Sequence, residues 1–241
     1  MKLKNKVIVI TGSGSGLGKC LASKVAREGA SVALVARTEK ELKEVKKQIE
    51  KDAGTAEYFI CDIRDLSQIK RTVKKIFQQF KNVDILINNA GIWSDDELEK
   101  KDPERRKLTL ETNILGNINF TYQFLPYFKK RNQGYIFNVI SSAGYESTSS
   151  SNVFWKTYGA SKWAMTGFTK AVRDELQKTK IKVTGFFPGG FDSMLYEKSK
   201  RPYSHNQPWM MKTDDVADII VFTLTRPDDV LMERIVVSKI A

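Results

Sequence analysis

The sequence predicts an α/β fold: one domain built on a parallel sheet, with helices on both faces. Three observations lead there. Short β-branched runs alternate with longer amphipathic stretches along the 241 residues, and that alternation needs helical crossovers between parallel strands. A glycine-rich turn, Gly12 to Gly18, follows the first run directly. No internal repeat, linker or low-complexity tract divides the chain, so residues 1–241 are read as one unit.

The elements follow in order. Val7-Ile8-Val9-Ile10 is a continuous apolar run, as a strand buried on both faces requires. A helix is expected from about Leu17 to Glu28, ended by Gly29, and Ser31 to Ala36 is the second strand. Thr38 with Glu41 three residues on reads as a capping box for the next helix. Ala56–Ile60, Asp65–Phe80 and Asp84–Ile87 give strand, helix and strand. A long helical stretch runs from about Pro103 to Lys130, with room for some interruption at Pro126. Tyr135–Ile140 is a fifth strand, Phe154 to Thr179 holds another long helix, and Ile181–Phe187 is a sixth strand. Thr213 is expected to cap a helix reaching Leu224, with Asp214 and Asp215 at its positive end. Arg234–Val237 closes the series. Residues 189–212 have no clear period, and an irregular loop of that length in an α/β domain reads as a substrate lid.

Composition narrows the function. At 41% hydrophobic and 28% charged residues the chain is a globular protein. No apolar run approaches the roughly 18–20 residues that span a bilayer, and the apolar stretch after the first lysines is too short for a signal peptide. Cys20 and Cys61 offer no disulfide framework, which suits a reducing compartment, so a cytoplasmic protein is expected. The single histidine, His205, argues against a metal site. The net charge of +12 could attract nucleic acid or an acidic membrane. However, Lys40, Lys43, Lys46, Lys47 and Lys51 are spaced as a solvated helix face opposite Leu42, Val45 and Ile49. No nucleic-acid-binding motif accompanies them. Neither nucleic acid nor a membrane is expected as a partner.

The glycine turn, Thr11-Gly12-Ser13-Gly14-Ser15-Gly16-Leu17-Gly18, lies between the first strand and first helix. Glycines let the backbone approach a ligand, and the helix start offers free N–H groups to a phosphate. The spacing is T-G-x-x-x-G-x-G; the general dinucleotide pattern G-x-G-x-x-G fails because Leu17 stands at its last place. The second strand ends without the acid that binds an NAD ribose. Arg37 stands there instead, suited to a 2′-phosphate, so the expected cofactor is NADP(H).

Tyr158 and Lys162 form Y-x-x-x-K at the start of a small-residue helical run, and residues four apart share a helix face. An ammonium near a phenol favours the phenolate, making the tyrosine a usable proton donor and acceptor. Tyr196 and Lys200 match the same pattern, but within the irregular segment and with no serine-bearing strand before them.

With Asn88-Asn89-Ala90-Gly91, Asn113, Ser141 and Pro188-Gly189 in the same order, the chain resembles the classical short-chain dehydrogenase/reductase family over nearly its whole length. The resemblance implies a Rossmann-type doubly wound sheet in the order 3-2-1-4-5-6-7. It implies hydride transfer between a nicotinamide and a carbonyl or secondary alcohol, with Tyr158 as acid and base. Ser141 would hold the substrate oxygen, with Ser142 the alternative; Lys162 would hold the nicotinamide ribose, and Asn113 would position a relay water. Cofactor contacts would come from Gly12, Ser13, Ser15, Gly16, Leu17, Gly18 and Arg37. Asp62 and Ile63, then Asn89, Ala90 and Gly91, would continue them, as would Pro188, Gly189, Phe191 and Ser193. Seventeen positions separate Ser141 from Tyr158, more than the family spacing, with the excess in a serine-rich loop. That excess would bring Tyr145, Phe154 or Trp155 to the substrate; Tyr196, with Trp93, Phe191 and Trp209, is a further candidate contact. The partners implied are a small carbonyl or alcohol substrate and further copies of the chain, as a homodimer or homotetramer. The competing reading is an NADP(H)-binding sensor on the same fold without turnover.

Overall fold

The computed structural model describes residues 2–94, 102–145, 156–195, 197 and 205–240. Within them seven strands form one sheet: β1 (Val7–Thr11), β2 (Ser31–Ala36), β3 (Thr55–Ile60), β4 (Ile85–Asn88), β5 (Gly134–Val139), β6 (Ile181–Pro188) and β7 (Arg234–Val237). All pairings are parallel and the order is β3-β2-β1-β4-β5-β6-β7. The helices between them are α1 (Gly16–Arg27), α2 (Glu39–Lys51), α3 (Leu66–Phe80), α4 (Pro103–Leu110), α5 (Asn117–Arg131), α6 (Lys156–Leu176) and α7 (Thr213–Leu224).

Period-2 alternation sorts the strand side chains into two cores. Ile8 and Ile10, Val32 and Leu34, Tyr135 and Phe137 face one side, with α1, α2 and α7. Val9, Ala33, Val35 and Ile136 face the other, where Phe120, Phe124 and Phe128 of α5 and Ile69, Val73 and Ile76 of α3 cover them. Because β1 pairs with both β2 and β4, the chain winds outward from β1 in two directions. The loops leaving β1 and β4 therefore diverge and open a crevice at the strands' carboxyl ends, where α/β sheets place their ligands.

Three local expectations fail. The long helical stretch runs on through Pro126 and instead carries a π-helical turn at Glu111–Gly116, between α4 and α5. Pro126 is exposed, so the carbonyl it leaves unbonded can turn to water and the helix continues. Thr38 precedes α2 without a side-chain cap bond, and the Glu41 carboxylate lies against Gly14 instead. Thr213 is the first residue of α7 rather than its cap; its hydroxyl donates to the carbonyl of Asp192 and ties the helix start to the segment after β6. Asp65 does cap α3, accepting from the N–H groups of Ser67 and Gln68 at 2.8 and 3.1 Å.

Candidate active site

A cleft of about 460 Å³ runs along the carboxyl ends of the strands. Its first wall is almost all backbone. A side chain at Gly12 would come within 2.9 Å of the Ala90 Cα, and Gly12 has a φ of +69°, a conformation glycine adopts freely. A Cβ on Gly18 would sit 2.2 Å from the Gly12 carbonyl oxygen, so α1 can lie this close to β1 only with glycine there. Asn89 holds the same turn from β4, its amide donating to the carbonyls of Thr11 and Gly12 at 2.9 and 3.3 Å. Ser15 precedes α1 without capping its N–H groups, and no acid stands in the first turn. An uncapped twelve-residue helix aimed at a glycine cradle fits a dinucleotide's phosphates.

At one end of the cleft Arg37, Thr38, Glu41, Asp62 and Ile63 line the wall. Two hydrogen bonds of 3.0 Å from Arg64 Nε hold the Asp62 carboxylate below its usual range. Cys61 lines this end too, and burial pushes its thiol up to about 11, which favours the neutral form.

At the other end Tyr158 and Lys162, both about 7% exposed, rise from the first turns of α6. The Lys162 Nζ is 5.4 Å from the centre of the Tyr158 ring. Burial brings the lysine down to about 8. Ser141 and Ser142 reach the same wall because the short turn Ser142–Gly144 packs directly on α6. A side chain on Gly144 would meet the Lys162 carbonyl at 2.6 Å, and the Thr166 hydroxyl donates to the Gly144 carbonyl at 2.7 Å.

Asn113 lies in the π turn, just behind the cleft wall. Its amide bonds both backbone groups of Ile92, at 2.8 and 2.9 Å, and donates to Ser161 Oγ at 3.1 Å. A side chain at Gly91 would meet Asn113 Oδ1 at 3.3 Å and Lys162 Nζ at 3.6 Å, so these two atoms flank that glycine. Asn117 supports the turn, its amide donating to the carbonyls of Ala90, Thr112 and Asn113 at 3.0–3.2 Å.

A family model described as short chain dehydrogenase matches residues 6–203. The chain belongs to the short-chain dehydrogenase/reductase family. This dehydrogenase/reductase is 30% identical over 239 residues to an uncharacterized oxidoreductase of Staphylococcus epidermidis, covering 99% of each chain. A second uncharacterized oxidoreductase, from Staphylococcus saprophyticus, is 29% identical over 245 residues, with 100% of each chain covered. Among solved structures, a variant actinorhodin polyketide ketoreductase with NADPH superposes with a TM-score of 0.86 at 26% identity, over 99% of this chain and 97% of that one. A metagenomic short-chain oxidoreductase in complex with NADP gives 0.83 at 25%, over 98% of each. The chain is accordingly an oxidoreductase of that family.

Most of the residues singled out in the sequence stand on this one cleft, from Gly12 through Arg37, Asp62 and Asn89–Gly91 to Ser141, Tyr158, Lys162, Gly189, Phe191 and Ser193. Two do not. Ser13 is fully buried, with its N–H and hydroxyl both turned to the Val35 carbonyl. Tyr145 packs on Phe187 at 5.3 Å between ring centres, with Arg234 over its face, and is not part of the described wall. Phe154, Trp155 and Tyr196 lie outside the described residues. The sequence reading missed Glu41, Ile92, Thr112, Gly190, Met194 and Leu195 as lining residues. Glu41 was hidden by its apparent capping role; the others stand within two residues of recognised positions, a proximity that could have flagged them.

Proposed function

We propose that this oxidoreductase is NADP(H)-dependent and interconverts a small carbonyl compound and its secondary alcohol. The observation that carries the reading is the shared cleft: Tyr158 and Lys162 rise from one helix at one end, and the uncapped start of α1 with Arg37 lies along the rest. The nicotinamide would supply or accept the hydride when bound. Tyr158 would give its proton to the oxygen that becomes the hydroxyl, and take it back in the reverse direction. The Lys162 charge would favour the phenolate. Ser141 would donate a hydrogen bond to the same oxygen as negative charge develops there. Asn113, bonded to Ile92 and to Ser161, would keep the wall behind Lys162 fixed. The ketoreductase and the metagenomic oxidoreductase carry NADPH and NADP in their structures, which supports the same choice for Arg37. Residues 189–212 would act as the substrate lid. Leu115, Tyr122 and Trp163, each half-exposed between the π turn and α6, would form the face on which two copies of the chain pair.

The test is a panel of aldehydes and ketones, with consumption of NADPH and of NADH followed by absorbance. The reading expects NADPH to be consumed with some carbonyl, and faster than NADH. Tight NADPH binding without turnover on any carbonyl would favour the sensor reading; preference for NADH would overturn the role given to Arg37.

A further inference from the structure

One stretch of the cleft wall has a construction that neither the cofactor nor the acid–base residues explain. Trp209 lies on the wall beside Gly190, and 55% of its surface is exposed. Its six-membered ring rests directly on Gly190. A methyl group there would come within 2.2 Å of Cζ3 and 2.7 Å of Cε3, so no larger residue at 190 is compatible with this indole position. The backbone holds the indole there. Met211 donates to the Gly190 carbonyl at 3.0 Å, Asp192 donates back to the Met211 carbonyl at 2.9 Å, and Met210 is buried. A large aromatic side chain thus precedes a segment anchored at Met210 and Met211 and rests on Gly190, yet keeps half its surface uncovered. Exposed apolar surface on a cleft rim marks a binding surface.

The charge pattern narrows what would bind. Among the described lining residues the charged side chains are Arg37, Glu41 and Asp62, all around the ends of β2 and β3, and Lys162 beside Tyr158. Trp209 rests on Gly190, and Gly189, Phe191, Met194 and Leu195 of the same cleft add no charge. The Asp192 carboxylate is off this wall and is held by His205 at 2.6 Å and by the Asn206 N–H at 3.1 Å. A charged substrate group laid here would lose water without gaining a counter-charge from the described residues beside Trp209.

We propose that Trp209, seated on Gly190, is the specificity-determining platform of the substrate site, and that it selects uncharged ketones with a flat aromatic ring. This inference rests on the carbonyl-reductase reading above and names its substrate class. An aromatic ring can lie offset on the indole face and cover it; a puckered saturated ring of the same skeleton covers less of it.

The probes are 1-tetralone, its saturated counterpart 1-decalone, and a tetralone bearing a carboxylate. Wild type is expected to favour 1-tetralone over both by about tenfold in kcat/KM. Trp209→Ala should remove that preference through KM, with the NADPH Kd unchanged. Gly190→Ala, which keeps the indole but displaces it, should do the same. A readout independent of turnover is the quenching of indole emission by 1-tetralone with NADP+ present, taken as wild type minus Trp209→Phe. Saturable quenching lost in Gly190→Ala supports the platform. Unchanged preference in both alanine variants, or no quenching that depends on Trp209, overturns it. If no carbonyl is turned over at all, the reductase reading fails, and the quenching titration still decides the platform.

Discussion

The two walls of the cleft are built from different materials. The wall at β1, α1 and β4 is made of backbone: glycines that admit no side chain, an uncapped helix start, and Asn89 bonded to two carbonyls. The wall at β5 and α6 is made of side chains, with Tyr158 and Lys162 on one helix face and, behind Gly91, the buried amide of Asn113 bonded to Ser161, whose hydroxyl donates to the Tyr158 carbonyl. Backbone contacts suit a ligand whose phosphates are always the same. Placed side chains suit chemistry that needs a proton at one atom. The first wall should therefore fail by losing binding, and the second by losing turnover.

Gly18→Ala tests the first wall and carries the largest expected effect on binding. Its methyl group would lie 2.2 Å from a backbone oxygen that cannot move alone. NADPH affinity should fall about 100-fold, the scale of an overpacked core contact, measured by titration calorimetry. Unaltered affinity would mean that the turn is not the phosphate site.

Lys162→Met separates stability from function in the second wall. Burial lowers this lysine from 10.5 to about 8. The unfolded chain then binds more protons than the folded one between those values, so the lysine opposes folding below pH 8 and stops doing so as pH rises towards 10.5. The variant should be inactive yet more stable at pH 7, by about 3 kcal/mol for a shift of that size. Urea melts should show the gain shrinking by pH 10. A loss of stability at pH 7 would show that Lys162 has favourable partners in the fold.

Arg37→Ala should raise the NADPH KM about tenfold, the worth of one charge-assisted contact, and leave NADH untouched. Glu41, on the same stretch of wall, provides the converse: Glu41→Gln should improve NADPH binding if the 2′-phosphate lies there. The smallest effect concerns His205. Its hydrogen bond to Asp192, then that to Glu197, raises its pKa. That pairing is complete below the free histidine value and is lost as pH rises through the folded one. Since the chain has one histidine, proton NMR should show a single imidazole titrating above its usual value, and Asp192→Asn should move it back down.

The backbone wall was largely legible in the sequence, because a glycine spacing after a β-branched run is a local pattern and needs no tertiary partner. Tyr158 and Lys162 were legible for the same reason, being one helical turn apart. The π turn was not. It depends on Asn117 reaching three carbonyls and on Gly116 lying against Ile63, from the loop after β3. No period in residues 103–130 records those contacts. Tyr145 misled because an insertion before Tyr158 says that the wall changes there, but not which way a ring turns; here it turns to Phe187 and Arg234. Glu41 fits a capping box by spacing, yet its carboxylate lies against Gly14 across the crevice, a contact made only once β1 and β2 are paired.

The division of labour between the walls is tested most directly by Tyr158→Phe, which removes one hydroxyl and nothing else. NADPH Kd by calorimetry and carbonyl reduction by absorbance would be measured on the same preparation. Turnover should fall by about 10²–10⁴, the usual worth of a placed acid–base group, while the Kd stays within twofold of wild type. Retained turnover would remove Tyr158 from the chemistry, and a parallel loss of binding would show that the two walls are not separable.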